Sequence, residues 1–260
     1  MLSINKKTYN DAEDWKHFFN NKKKIKDIPI DPSWKPFFDE YIFNDKRFQG
    51  IENKIKEDVY GGSIIAPKPI VLFNTFYVTP IEDVKVVIIG QDPYFNIKDN
   101  IPEAVGLSFS VPNEFPIPSS LKSIYDNLKK YNNIAFTPKN GNLIFWAIQG
   151  CIMLNTALSV QINKKKSHAN IWKWVTDEII KYISYNCDHV VFLLWGADSF
   201  DKSKFIDLDK HDIITSSHPS GLSRHKPFKN FKSFDNTNHF TMTNELLVKH
   251  KQEPIIWQVP

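Results

Sequence analysis

Four polar side chains stand out by type and by placement. Gln91 and Asp92 follow a short apolar run at Val84–Gly90. Asn155 ends a second run, Cys151–Asn155, and His218 lies just past another, Asp212–Ser216. A further run, Val190–Gly196, leads into Trp195–Gly196–Ala197. A carboxylate stabilises positive charge or activates water, an amide pairs with a donor–acceptor edge, and an imidazole passes or donates a proton. Each residue also has a plainer use: Asp92 before Pro93 starts a turn, and Asn155 suits a helix N-cap. Taken singly, the plainer use prevails. Three chemically useful groups at the ends of apolar runs point to a site.

The elements that must position them follow from the runs themselves. Near-continuous Val/Ile/Leu stretches of this length fit strands buried on both faces. Helices are expected between and after them at Ser120–Lys130, Trp172–Tyr185, Ala197–Phe205 and Asn238–His250. Alternating strands and helices predict a parallel sheet with right-handed crossovers, covered on both faces. The expected fold is therefore α/β, a single three-layer α/β/α domain around a central four-stranded parallel sheet. In such open sheets ligands bind outside the carboxyl ends of the strands, where these polar groups fall. Residues 1–80 read as helical and irregular. Residues 1–32 are expected as a polar N-terminal extension that the domain, 33–260, could incorporate.

Composition removes several function classes. Apolar residues make up 42% and charged residues 24%, enough to bury a full core. With 20 Phe, 7 Trp and 9 Tyr the chain carries too much apolar area for intrinsic disorder. Cys151 and Cys187 are the only cysteines, which excludes a disulfide framework, an all-cysteine iron–sulfur site and a Cys-rich zinc site. Met1 to Trp15 lacks the apolar core of a secretory signal, and no run approaches a membrane span. An intracellular location in a reducing compartment is expected. Basic charge is almost all lysine, Arg47 and Arg224 being the exceptions, and the net charge is +4. That permits an anionic partner without requiring one. Gly90–Gln91–Asp92–Pro93 is neither a dinucleotide turn nor a P-loop, so a nucleotide-binding Rossmann-like enzyme has the topology but not the glycine loop. No G-x-S-x-G elbow or H-E-x-x-H pair is present. Neither a cofactor nor a metal is expected.

Ordered motifs carry a more specific message. Gly90–Gln91–Asp92–Pro93–Tyr94, Gly106–Leu107–Ser108–Phe109–Ser110–Val111 and Pro116–Ile117–Pro118–Ser119–Ser120–Leu121 resemble the uracil-DNA glycosylase family. So do Leu154–Asn155, Leu193–Leu194–Trp195–Gly196 and His218–Pro219–Ser220–Gly221–Leu222–Ser223. The resemblance runs from about Ser33 to Trp257 in the family's order.

The resemblance implies hydrolysis of the N-glycosidic bond of deoxyuridine in single- or double-stranded DNA. Uracil is released, an abasic site remains, and the enzyme serves base excision repair. Asp92 and His218 would be catalytic: Asp92 stabilising a sugar cation and orienting water, His218 donating to uracil O2. Gln91, Tyr94, Phe109 and Asn155 would bind uracil. Asn155 accepts from N3–H and donates to O4, Tyr94 excludes a 5-methyl, Phe109 stacks, and Gln91 adds backbone contacts. A mismatched buried edge can reject a competitor base by roughly 10⁴–10⁵. DNA would be held by Ser120, Ser220, Ser223, Arg224 and Lys226, with Leu222 filling the gap left by base flipping. That segment continues through His225, Lys229 and Lys232, interleaved with Phe228, Phe231 and Phe234.

Several positions depart from the family's usual pattern. Phe95 replaces His, Ala197 replaces Ser, Lys226 replaces Arg and Gly221 replaces Pro, and the loop 96–105 is longer. A monomeric enzyme is expected. The alternative is a DNA-binding replication scaffold of the same fold, in contact with replication proteins, whose activity is weak or lost.

Overall fold

A computed structural model describes residues 6–260; the first five residues of the expected extension lie outside the described part. Four parallel strands form the central sheet. They are β1 (Val86–Gly90), β2 (Cys151–Asn155), β3 (Val191–Trp195) and β4 (Asp212–Ser216). Their order across the sheet is β2-β1-β3-β4. Register pairs Gly90 with Asn155, Ile89 with Leu194, and Trp195 with Ser216.

Strand alternation divides the core in two. Val87, Ile89, Ile152, Leu154, Phe192 and Leu194 face one layer, with Val175, Ile179 and Ile183 of helix α3 (Ala169–Asn186) and Ile51 and Ile55 of α1 (Lys46–Tyr60). Val86, Ile88, Met153, Val191 and Leu193 face the other, with Leu121, Ile124 and Leu128 of α2 (Ser119–Lys130) and Phe240 and Leu247 of α4 (His239–Lys249). Period-2 strands with both faces covered give the three layers. Ala197–Phe205, expected as one helix, is an α-helical turn to Phe200 followed by a 3-10 stretch.

The N-terminal stretch contributes Tyr9 to one core layer and Trp15, Phe18, Phe19, Ile25 and Ile28 to the other. Tyr9 donates to the Ala104 carbonyl at 2.6 Å, and the Lys68 ammonium donates to the Asn10 and Ala12 carbonyls. The loop after Phe95, expected to be longer than in the family, forms a small hairpin, Ile97–Lys98 against Ile101–Pro102. Its two turn residues, Asp99 and Asn100, both have positive φ (50° and 63°), as a tight hairpin turn demands. No helix among the described residues is long and apolar enough to cross a membrane.

Candidate active site

The order β2-β1-β3-β4 makes the crossover after β2 pass over β1, so the chain reverses direction across the sheet between β1 and β3. That switch opens a crevice at the carboxyl ends of the strands. Gln91 and Asp92 leave β1 there, Asn155 ends β2, Gly196 follows β3 and His218 follows β4. Gln91, Asp92, Tyr94, Phe109, Asn155 and His218 line one cavity of about 160 Å³. Ser120 and Ser220 complete it, with Pro93, Phe95 and Lys165. A larger cavity of about 540 Å³ lies between the N-terminal segment and the 97–102 hairpin, and none of the strand-end residues lines it.

Asn155 is 9% exposed and lies across the end of β1. A Cβ on Gly90 would stand 2.3 Å from the Asn155 amide oxygen, so only glycine leaves room for the amide. Beside it, Phe109 is held at φ 63°, a strained conformation for a bulky residue. Its ring centre is 6.0 Å from that of His218, and its carbonyl accepts from the Tyr94 hydroxyl at 3.3 Å. Phe109 thus belongs to the core layer and to the cavity wall together.

Asp92 accepts the Lys166 backbone N–H on Oδ2 at 2.9 Å. Its Oδ1 is buried with no hydrogen-bond partner among the described residues. Burial raises its carboxyl pKa above the ordinary 3.8, while the Lys166 amide and the Lys165 and Lys166 charges work against the rise. His218 accepts the Ser220 N–H on Nδ1 at 3.0 Å. Burial, helped by Lys165, lowers its pKa to about 4, so the ring is neutral at pH 7. Gly196, at φ 87°, packs against His218; a Cβ there would meet that of His218 at 3.0 Å.

The rim holds partners that sequence reasoning missed. Asp198 accepts from the Gln91 side-chain amide and, at 3.1 Å, from the Lys166 ammonium. The Gln91 carbonyl accepts from the Thr156 hydroxyl at 2.7 Å, fixing the turn after β1 to the turn after β2. The run Lys164–Lys166 was visible as charge, but its approach to Asp92 spans 74 residues and had no local signal.

Leu222 is 86% exposed, outside the cavity. Arg224 is engaged within the protein. Its Nε donates to Asp235 at 2.8 Å, and its Nη1 donates to Ser123 at 2.8 Å and Asp126 at 2.9 Å. Ser223 and Lys226 lie on the same loop, where the Ser223 carbonyl accepts the Lys226 N–H at 2.9 Å. Among the described residues no group of three or more His, Cys, Asp or Glu is placed to hold a metal ion.

Comparison with known proteins gives the same assignment. The chain is 36% identical over 250 residues to a probable uracil-DNA glycosylase of Acanthamoeba polyphaga mimivirus, covering 92% of this chain and 67% of that protein. It is 44% identical over 212 residues to the uracil-DNA glycosylase of Aliarcobacter butzleri, covering 78% and 92%. The crystal structure of mimivirus uracil-DNA glycosylase superposes with a TM-score of 0.93 over 99% of this chain and 98% of that one, at 36% identity. A variant of mimivirus UNG in complex with UGI superposes at 0.92, also at 36% identity, over 99% of both chains. Residues 76–241 match the profile of the uracil DNA glycosylase superfamily, and the chain belongs to that family.

Proposed function

We propose that this chain removes uracil from DNA by hydrolysing the N-glycosidic bond of an extruded deoxyuridine. The observation that carries the reading is the convergence of Asp92, Asn155 and a neutral His218 on one small cavity at the sheet's switch point. Extrusion costs a few kcal/mol, which contacts to phosphates and to the base must offset. In the cavity, uracil stacks on Phe109 with C5 against Tyr94, and Gln91 adds backbone contacts. The Asn155 amide accepts from N3–H and donates to O4; cytosine presents the opposite pair and is left unsatisfied.

As the glycosidic bond stretches, positive charge grows on the sugar and negative charge on the base. Ionised Asp92 stabilises the first and orients water with its unpartnered Oδ1. His218 donates from Nε2 to uracil O2 and stabilises the second. Such preorganised electrostatics are usually the largest catalytic contribution. Ser120, Ser220 and Ser223 hold phosphates with hydroxyl and backbone donors, and Ser120 sits in the first turn of α2, where anions are favoured. Leu222 fills the vacated stack; Arg224 braces the loop that carries it, and Lys226 adds charge towards the backbone.

A labelled oligonucleotide with one deoxyuridine, treated with the protein and then with alkali, tests the reading. Cleavage at uracil, and none at cytosine or thymine, is the expected result. DNA binding without cleavage would favour the replication scaffold, which no observation on this site otherwise supports.

A further inference from the structure

Eleven residues line the cavity, and Lys165 is the only one among them with a full positive charge, since His218 is neutral at pH 7. We propose that Lys165 is a substrate-contacting residue whose ammonium binds the backbone phosphate next to the extruded deoxyuridine. The proposal rests on the glycosylase reading and adds to it a phosphate site outside the first turn of α2 and the Leu222 loop.

Geometry places Lys165 at the mouth. The Lys166 N–H is bonded to Asp92, so the Lys165 backbone is held one residue from the reacting carboxylate. The two lysines then diverge. The Lys166 ammonium is taken by Asp198, whereas among the described residues no carboxylate lies within ion-pair distance of the Lys165 ammonium. Lys165 is solvent-exposed, yet its segment is pinned on both sides. The Asn163 N–H donates to the Phe95 carbonyl at 2.8 Å, and the Ser167 hydroxyl accepts the Gln161 N–H at 2.8 Å. His168, fully buried, joins Asp58 at 3.0 Å and Ser159 at 2.8 Å. A pinned segment presents its ammonium with less ordering cost on binding.

Charge balance supplies the reason for a cation here. Asp92 is the only carboxylate lining the cavity, and a phosphodiester brought to the mouth meets its field. Ser120 and Ser220 offer dipoles to that phosphate but no charge, and Phe95 offers neither. Lys165 screens the repulsion. It also favours the ionised form of Asp92 and the neutral form of His218, the states that the reaction needs.

The test compares the wild type with Lys165→Ala and Lys165→Arg on uracil oligonucleotides. Two further substrates carry a neutral methylphosphonate on one or the other side of the deoxyuridine. Lys165→Ala should raise KM about tenfold and shallow the log–log salt slope by about 0.7–0.9. Lys165→Arg should retain most of both. On one of the two methylphosphonate substrates the wild type and Lys165→Ala should become equal. An unchanged salt slope, or a difference that persists on both neutral substrates, overturns the proposal. Weaker inhibition of Lys165→Ala by free uracil also overturns it, placing the ammonium against the departing base. Failure of the wild type to release uracil from the unmodified oligonucleotide is a separate result: it removes the glycosylase reading, and this proposal with it.

Discussion

Ser220 donates its backbone N–H to Nδ1 of His218 at 3.0 Å. Nδ1 is thereby the acceptor, and a neutral ring must carry its proton on Nε2. Because its pKa is lowered to about 4, His218 stays neutral through the physiological range, and in the proposed reaction it donates from Nε2. The rate should therefore show no inflection between about pH 6 and 8, where an unperturbed histidine would titrate. Activity falls only in acid, as Asp92 protonates at a pH above the ordinary carboxylate value. A single-turnover pH profile checks this, and a rate that climbs as pH drops through 6.5, the unperturbed histidine value, would mean a cationic His218. His218→Leu should cost roughly 10²–10³ in rate.

In the proposed pocket, base choice rests on the room above Gly90. Gly90→Ala puts a methyl 2.3 Å from the Asn155 amide oxygen and must displace the amide. Displacement of this size can cost about 10²-fold in rate. Asn155→Asp should admit some cytosine, and Tyr94→Ala should admit thymine. Competition assays on oligonucleotides with each base are the measurement. Full activity in Gly90→Ala would show that the amide is not the reader.

The strands were legible because runs such as Cys151–Asn155 are apolar throughout and end in a polar residue, a pattern that buried parallel strands produce. The meeting of Asp92, Asn155 and His218 at one rim was legible for the same reason, since a strand end is a position that sequence can mark, whereas the role given to His218 came from the family resemblance. The Lys166–Asp92 and Gln91–Asp198 contacts were not, since they join residues 74 and 107 apart and depend on which strands become neighbours. The aromatic core of the N-terminal stretch was hidden by polar neighbours; Trp15, Phe18 and Phe19 are spaced for a helix face but sit among lysines and asparagines. Arg224 read as a DNA contact because of the basic residues around it. Its carboxylate partners, Asp126 and Asp235, come from α2 and from the segment before α4.

Three buried histidines and the half-buried His218 should make the fold acid-sensitive. His168, His211, His218 and His239 all have pKa values below the ordinary 6.5, burial being the main cause in each. Above 6.5 neither state binds these protons. Below it the unfolded chain takes up protons that the folded one refuses, so stability falls as pH drops. His239 has a structural reason: its Nδ1 accepts from Trp195 Nε1 at 3.2 Å and its Nε2 faces the Phe234 carbonyl at 3.2 Å. Its pKa of about 3 implies a loss of about 2 kcal/mol by pH 5 from this residue alone. Urea midpoints at neutral pH and near pH 5 measure the fall. Equal midpoints would contradict it.

On the proposed DNA contact, the loop after His218 divides into a wedge, a brace and a charge, and each has its own signature. Leu222, 86% exposed, gains about 1.5–3 kcal/mol if it is fully buried in a base stack. Leu222→Ala should therefore slow duplex uracil more than single-stranded uracil, which leaves no gap to fill. Lys226→Ala removes an exposed charge, and should weaken both substrates and shallow the salt slope by about 0.7–0.9. Arg224 differs, because Asp235 and Asp126 already neutralise its guanidinium. Arg224→Gln should leave the salt slope unchanged while lowering Tm and slowing duplex turnover, since it releases the loop from α2. A shallower slope in Arg224→Gln, with Tm unchanged, would instead place that guanidinium on a phosphate and leave Leu222 to be braced by the backbone alone.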